Sequence, residues 1–196
     1  MSQIRTVYSL KELHDYLKNH PLKHRHLVCI DLDLTVVRPD FQNPEKDVLI
    51  EPEETKKLFD MFKAHGIFYT FVTARFYDTV CNAKKRKLSD IKENLFATIF
   101  PIFEELGIDI SEFKNANDDE FYIIRNHNNR CVGIIYKGVI FGDKKGEIIK
   151  HYKKDFKLNE NYPHTIFIDD HDGYIRNVAK HVPDALILKR EIMDEN

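Results

Sequence analysis

The sequence has no apolar run approaching the ~18 residues that a membrane-spanning helix needs, so no span is expected. Its first twenty residues, MSQIRTVYSLKELHDYLKNH, are amphipathic and charged, without the apolar stretch of a Sec-type leader. Cysteine is scarce. Cys29, Cys81 and Cys131 are odd in number, and their spacings match neither a disulfide framework nor a zinc site, which fits a reducing, cytoplasmic setting. A strong charge of either sign is also missing. The formal net charge is −2 and the pI about 6.6, so no global pull toward nucleic acid is expected. Internal repeats and low-complexity segments are absent.

What remains is an ordinary globular composition of 196 residues, 42% hydrophobic and 32% charged, enough for one domain with its own core. Four short apolar runs stand out: Leu27–Ile30, Ile67–Val72, Thr165–Ile168 and Ala185–Leu188. They are rich in β-branched and aromatic residues and do not alternate, as suits strands buried on both faces of a parallel sheet. Helical patterns separate them. One opens at Pro52-Glu53-Glu54, shows Leu58, Met61, Phe62 and His65 on one face, and closes at Gly66. A second runs from Gly146 through Ile148, Ile149, Tyr152 and Phe156, and a third covers Tyr174 to His181, before Pro183.

Alternation of strand and helix predicts a doubly wound α/β fold, a Rossmannoid with a mainly parallel sheet flanked by helices. The stretch 76–143 breaks the rhythm. It starts with a helical pattern and ends in two strand-like runs around His127-Asn128-Asn129, which resemble a hairpin. The reading is one domain over 1–196, with 76–143 an inserted, cap-like region or an extension of the sheet.

Open α/β sheets bind ligands beyond the carboxyl ends of their strands. There the first run leads into Asp31-Leu32-Asp33-Leu34-Thr35, the second ends in Thr73-Ala74-Arg75, and the third ends in Asp169-Asp170. A lone pair of acids after a strand is weak evidence, because solvated loops carry them often. Three strand ends bearing two carboxylate pairs and a hydroxyl form a stronger pattern. So many acids repel one another unless a cation sits among them, and carboxylate and carbonyl oxygens suit Mg²⁺. A positive residue should face a bound phosphate, and Lys144-Lys145-Gly146 opens the helix before the last acidic strand.

On these residues the sequence resembles the haloacid dehalogenase (HAD) superfamily of phosphatases. Asp31-Leu32-Asp33-Leu34-Thr35 is similar to its DxDxT motif, Phe71-Val72-Thr73 to its second motif, and Ile168-Asp169-Asp170 to its fourth. The lysine motif falls on Lys144 or Lys145, with Lys145 preferred as the Lys-Gly pair before a helix. The segment IIYKGVIFGDKKGEIIKHY followed by TIFIDD is similar to a group of bacterial HAD-like proteins. Some of these are effectors delivered into host cells, and one is a phosphotyrosine phosphatase.

The resemblance implies hydrolysis of a phosphomonoester. Asp31 would be the nucleophile and Asp33 the general acid and base, which requires a carboxyl able to hold a proton, arranged by burial among the other acids. Thr73 and Lys145 would hold phosphoryl oxygens. Mg²⁺ would be held by Asp31, the Asp33 carbonyl and Asp170, with Asp169 orienting Lys145 and Thr35 in support. Ala74 and Arg75 would line the substrate, although a helix-surface role for Arg75 is an equal alternative. One departure is Tyr174, standing where the family commonly has Asp or Asn; Asp172 and Asn177 flank it and are candidates to replace that group.

The partner implied is a phosphorylated substrate, with protein phosphotyrosine the leading choice, since the short stretch between Asp33 and Thr73 leaves no room for a large lid there. A small-metabolite phosphatase and a docking module on the same fold are the rivals. Other motifs read blandly. Cys81 to Arg86 has four intervening residues where a cysteine-phosphatase loop needs five, and it lacks that loop's glycines. Lys84-Lys85-Arg86-Lys87 reads as a solvated helix end in preference to a nuclear signal or an anionic-membrane contact. His24 and His26 have metal-like spacing but no third ligand, and Cys29 reads as a small core residue.

Overall fold

The computed structural model describes residues 2–20, 25–43, 46–75, 88–113 and 120–191. The helix expected from Phe76, the Cys81–Arg86 segment, the Lys84–Lys87 cluster and His24 lie outside the described residues.

All four apolar runs form strands: β2 (His26–Ile30), β5 (Phe68–Thr73), β9 (His164–Asp169) and β10 (Leu186–Arg190). With β1 (Gln3–Val7), β6 (Tyr122–Arg125), β7 (Cys131–Tyr136) and β8 (Val139–Phe141) they make one eight-stranded sheet. Its order is β1-β10-β9-β2-β5-β8-β7-β6. The strands from β1 to β8 in that order pair in parallel, and β7 and β6 add antiparallel pairs at the edge. The fold is therefore α/β, with a mixed, mostly parallel sheet.

Strand burial shows why these runs lack alternation. In β2, Val28 and Ile30 face one hydrophobic cluster and Leu27 and Cys29 face the other. The first cluster receives α1 (Leu10–Asn19), α2 (Pro52–Ala64), the π turn (Leu95–Ile99) that continues α3 (Leu88–Asn94), and α4 (Phe100–Glu105). Facing the second are α5 (Lys145–Asp155), the short α6 (Leu158–Asn161) and α7 (Asp172–His181). Both sheet faces are covered, so the central strands carry buried apolar residues on each side.

Three differences from the sequence reading have local causes. The N-terminal stretch adds a strand before its helix: β1 pairs with β10, and Ser9 caps α1 by accepting from the Glu12 N–H at 3.0 Å. His65 is exposed at the end of α2 and does not share the buried face of Leu58, Met61 and Phe62, because the helix ends one residue before it and Gly66 turns the chain at φ +59°. Between β2 and α2 stands an antiparallel ribbon, β3 (Val37–Pro39) with β4 (Asp47–Leu49), too short to show a hydrophobic period. The hairpin around Asn126–Arg130 joins β6 to β7, and β8 returns beside β5 within the same sheet.

Among the parallel strands the connection order reverses between β2 and β9: the chain leaves β2 toward β5 and β8, then crosses back to β9 and β10. That reversal is the topological switch point, where ligands bind in sheets of this type.

Candidate functional site

The carboxyl ends of β2 and β9 bring Asp31, Asp169 and Asp170 together at the switch point. Each offers one carboxylate oxygen, and these atoms lie within 4.8 Å of one another. Asp31 and Asp169 are buried and Asp170 is partly exposed. The Asp31 N–H donates to the Ile168 carbonyl at 2.9 Å, which fixes the two strand ends in register.

Lys145, the first residue of α5, is buried and reaches into this group. Its Nζ donates to Asp31 Oδ1 at 2.5 Å and to Asp169 Oδ2 at 2.7 Å. Lys144, its neighbour, is exposed. Asp169 also accepts from the His171 N–H at 2.8 Å, so both of its oxygens have partners. The Thr35 hydroxyl donates to Asp31 Oδ2 at 3.3 Å. The ring of Tyr174 lies 4.3 Å from the Lys145 ammonium, a cation–π contact.

The flanking candidates for a further metal group are occupied elsewhere. Asp172 is exposed and pairs with Lys189 at 3.0 Å. Asn177 Oδ1 accepts from the Gly146 N–H at 2.8 Å, filling one of the unpartnered donors at the start of α5.

The turn after β2 is tight. Leu34 sits at φ +58°, an unfavourable region for a branched side chain, and the N–H groups of Val36 and Val37 both donate to the Leu32 carbonyl at 2.9 Å. Arg190, at the end of β10 and only 3% exposed, donates through Nη1 to the Leu34 carbonyl at 3.0 Å and the Thr35 carbonyl at 3.1 Å. Its Nη2 meets Glu51 at 3.0 Å.

Asp33 has surroundings other than those expected. Its side chain is 43% exposed rather than buried among acids. The Thr73 hydroxyl donates to Asp33 Oδ2 at 3.2 Å. Arg75 Nε donates to Oδ1 at 2.8 Å and to Oδ2 at 2.9 Å, and Nη2 adds a very short bond to Oδ1. The same guanidinium grips Asp47 on β4, through Nη1 at 2.7 Å and Nη2 at 3.1 Å. Thr73 and Arg75 thus face Asp33, with Ala74 partly exposed between them.

Electrostatics favour a cation here. Three carboxylates surround one ammonium, an excess of negative charge in a partly dry site. Burial raises the Asp31 carboxyl well above the ordinary carboxylate range, with Asp169 adding to the rise and Lys145 opposing it. Asp169 and Asp170 are raised as well, again chiefly by burial. The two acids keep Lys145 cationic against its own desolvation. Hard oxygen donors, spaced to share one ion and short of positive charge, fit Mg²⁺. Asp169 is engaged by Lys145 and the His171 N–H, and Asp31 by Lys145 and the Thr35 hydroxyl, so an ion shared by the three acids would compete with these bonds.

Sequence reasoning missed Asp47 and Arg190. Asp47 lies in a ribbon with no periodic signal, and Arg190 reads as one more charge near the end of the chain. Comparison of the chain with protein-family models, curated proteins and solved structures finds no match.

Proposed function

We propose that the chain is a Mg²⁺-dependent phosphomonoester hydrolase of the HAD type, with Asp31 as its nucleophile. The observation that carries the reading is the meeting of Asp31, Asp169 and Asp170 at the switch point of the sheet with Lys145 held between two of them.

In this reading an Asp31 oxygen attacks phosphorus, the bond to the leaving oxygen breaks, and an aspartyl-phosphate forms. Asp33, the more exposed carboxyl, gives a proton to the leaving oxygen and later takes one from the water that hydrolyses the intermediate. Lys145 and the Thr73 hydroxyl bind phosphoryl oxygens, and Asp169 keeps Lys145 aimed. Thr35 steadies the Asp31 carboxylate. Mg²⁺ would be held by Asp31, Asp170 and the Asp33 carbonyl, and would supply charge stabilisation at the phosphoryl oxygens.

Within this class we take phosphotyrosine on proteins as the substrate. Between the first two motifs the described chain carries only the β3–β4 ribbon ahead of α2. On the loop of that ribbon Phe41 is 85% exposed with the Arg38 guanidinium 4.5 Å from its ring centre, an aromatic and cationic surface suited to an aryl phosphate on a peptide.

The test is phosphate release from p-nitrophenyl phosphate with and without Mg²⁺, native chain against Asp31→Asn. Magnesium-dependent turnover lost in the variant is expected, and turnover that survives would show that the nucleophile lies elsewhere. A preference for phosphotyrosyl peptides over nucleotides and sugar phosphates separates the protein phosphatase from a metabolite enzyme. A biological effect that survives Asp31→Asn would favour a docking role.

A further inference from the structure

We infer that Asp47 is a positioning residue for Asp33, acting through Arg75, so that the β3–β4 ribbon belongs to the acid–base machinery of the site. The inference deepens the hydrolase reading above and rests on it.

A guanidinium presents its N–H groups in one rigid plane. In this structure one edge of that plane meets both oxygens of Asp33, and the adjacent edge meets both oxygens of Asp47. Arg75 is therefore fixed in direction by two carboxylates from different elements, the turn after β2 and strand β4. Its side chain is 17% exposed and that of Asp47 11%, so water screens the Arg75–Asp47 pair only partly. Asp47 is itself held by β4, in register with Pro39 on β3.

The second carboxylate has a definite consequence. Asp33 must turn one oxygen toward the leaving group while keeping its place beside Thr73. With Asp47 present, Arg75 stays put and the Asp33 carboxyl has a fixed wall to turn against. With Asp47 neutralised, Arg75 is anchored on one edge only and is drawn toward the nearest strong anion, a bound phosphoryl group. Asp33 then loses its orientation, while Asp31, Thr73 and Lys145 keep theirs. The predicted defect is in delivering a proton to the leaving oxygen as its bond to phosphorus breaks, with the attack of Asp31 spared.

Esters that differ in their need for that proton test the idea. The probes are p-nitrophenyl phosphate, whose leaving group departs readily as the anion, and phenyl phosphate, whose leaving group needs protonation. The readout is kcat/KM, which reports the step in which the leaving group departs. Asp33→Asn should lose more on phenyl phosphate than on p-nitrophenyl phosphate. Asp47→Asn should show the same bias at smaller amplitude, with a loss on the poorer ester of at most about a hundredfold, the scale expected from misplacing a catalytic group by ~1 Å. Asp47→Glu, which keeps the charge on a longer arm, should recover part of the loss, and it carries the test should Asp47→Asn fail to fold. Equal losses on both esters, or none, in folded Asp47 variants would overturn the inference and leave the hydrolase reading standing. Absence of turnover in the native chain would overturn both.

Discussion

At the scale of single residues the site is a problem of like charge. Asp31, Asp169 and Asp170 converge around Lys145, which bonds to two of them, and burial raises all three carboxyls. The sign of the pH dependence follows. A raised folded-state carboxyl binds protons more tightly than its unfolded counterpart, so without metal these groups lower stability as pH climbs from the ordinary carboxylate range through the raised values. A divalent cation competes with those protons. Adding Mg²⁺ should therefore raise the melting temperature more at about pH 8 than at about pH 5.5, two conditions on either side of the Asp31 carboxyl, which is pushed up to about 7. Equal Mg²⁺ shifts at both pH values would count against a metal bound by these acids. The carboxylates were legible in the sequence because each follows an apolar strand, and strand ends are where α/β sheets put chemistry. The pairing of Asp33 with Arg75 was not legible, because an ion pair between positions 42 residues apart leaves no local pattern.

At the scale of elements, the placement of Lys145 depends on how closely α5 approaches α7. Gly146 permits that approach: a Cβ there would collide with the Asn177 carbonyl and come 2.7 Å from the Val178 Cα. The Gly146 N–H bond to Asn177 closes the same contact. Gly146→Ala should force the helices apart, cost about 2 kcal/mol as overpacking does, and shift Lys145 away from Asp31. The measurements are denaturant unfolding and kcat on a phosphomonoester, both expected to fall; an unchanged stability would mean that α7 yields easily. Here the sequence showed a Lys-Gly pair before a helix, but not that the glycine serves a helix–helix contact. The four central strands were legible from their composition. The ribbon of β3 and β4, three residues each, and the edge strand β1, with its exposed Gln3, Ile4 and Arg5, carry no such signal.

At the scale of the whole molecule, the last strand holds the first motif. Arg190 on β10 reaches the carbonyls of Leu34 and Thr35 across more than 150 positions of chain and pairs with Glu51 at the start of α2. Removing it would leave two carbonyls and a carboxylate without this partner beside a strained Leu34. Arg190→Met should destabilise the fold by about 3 kcal/mol, the scale for losing charge-assisted hydrogen bonds to two carbonyls and a carboxylate. Glu51→Gln, which keeps an acceptor, should cost less; the order of the two in denaturant unfolding checks the assignment. Sheet order explains why the arrangement works: β10 and β9 lie on one side of β2, and β5 and β8 on the other. Residues from both ends of the sequence therefore meet at the carboxyl ends of neighbouring strands. Alternation of strand and helix made the fold class legible, whereas closure by Arg190 appears only once the sheet order is known.

The most direct measurement is acid quenching of the native chain during turnover of a phosphomonoester with Mg²⁺, followed by borohydride reduction and peptide mapping. The expected result is reduction confined to Asp31, the mark of an aspartyl-phosphate at that residue. A modified group at any other position, or steady turnover with no covalent intermediate, would contradict Asp31 as the nucleophile.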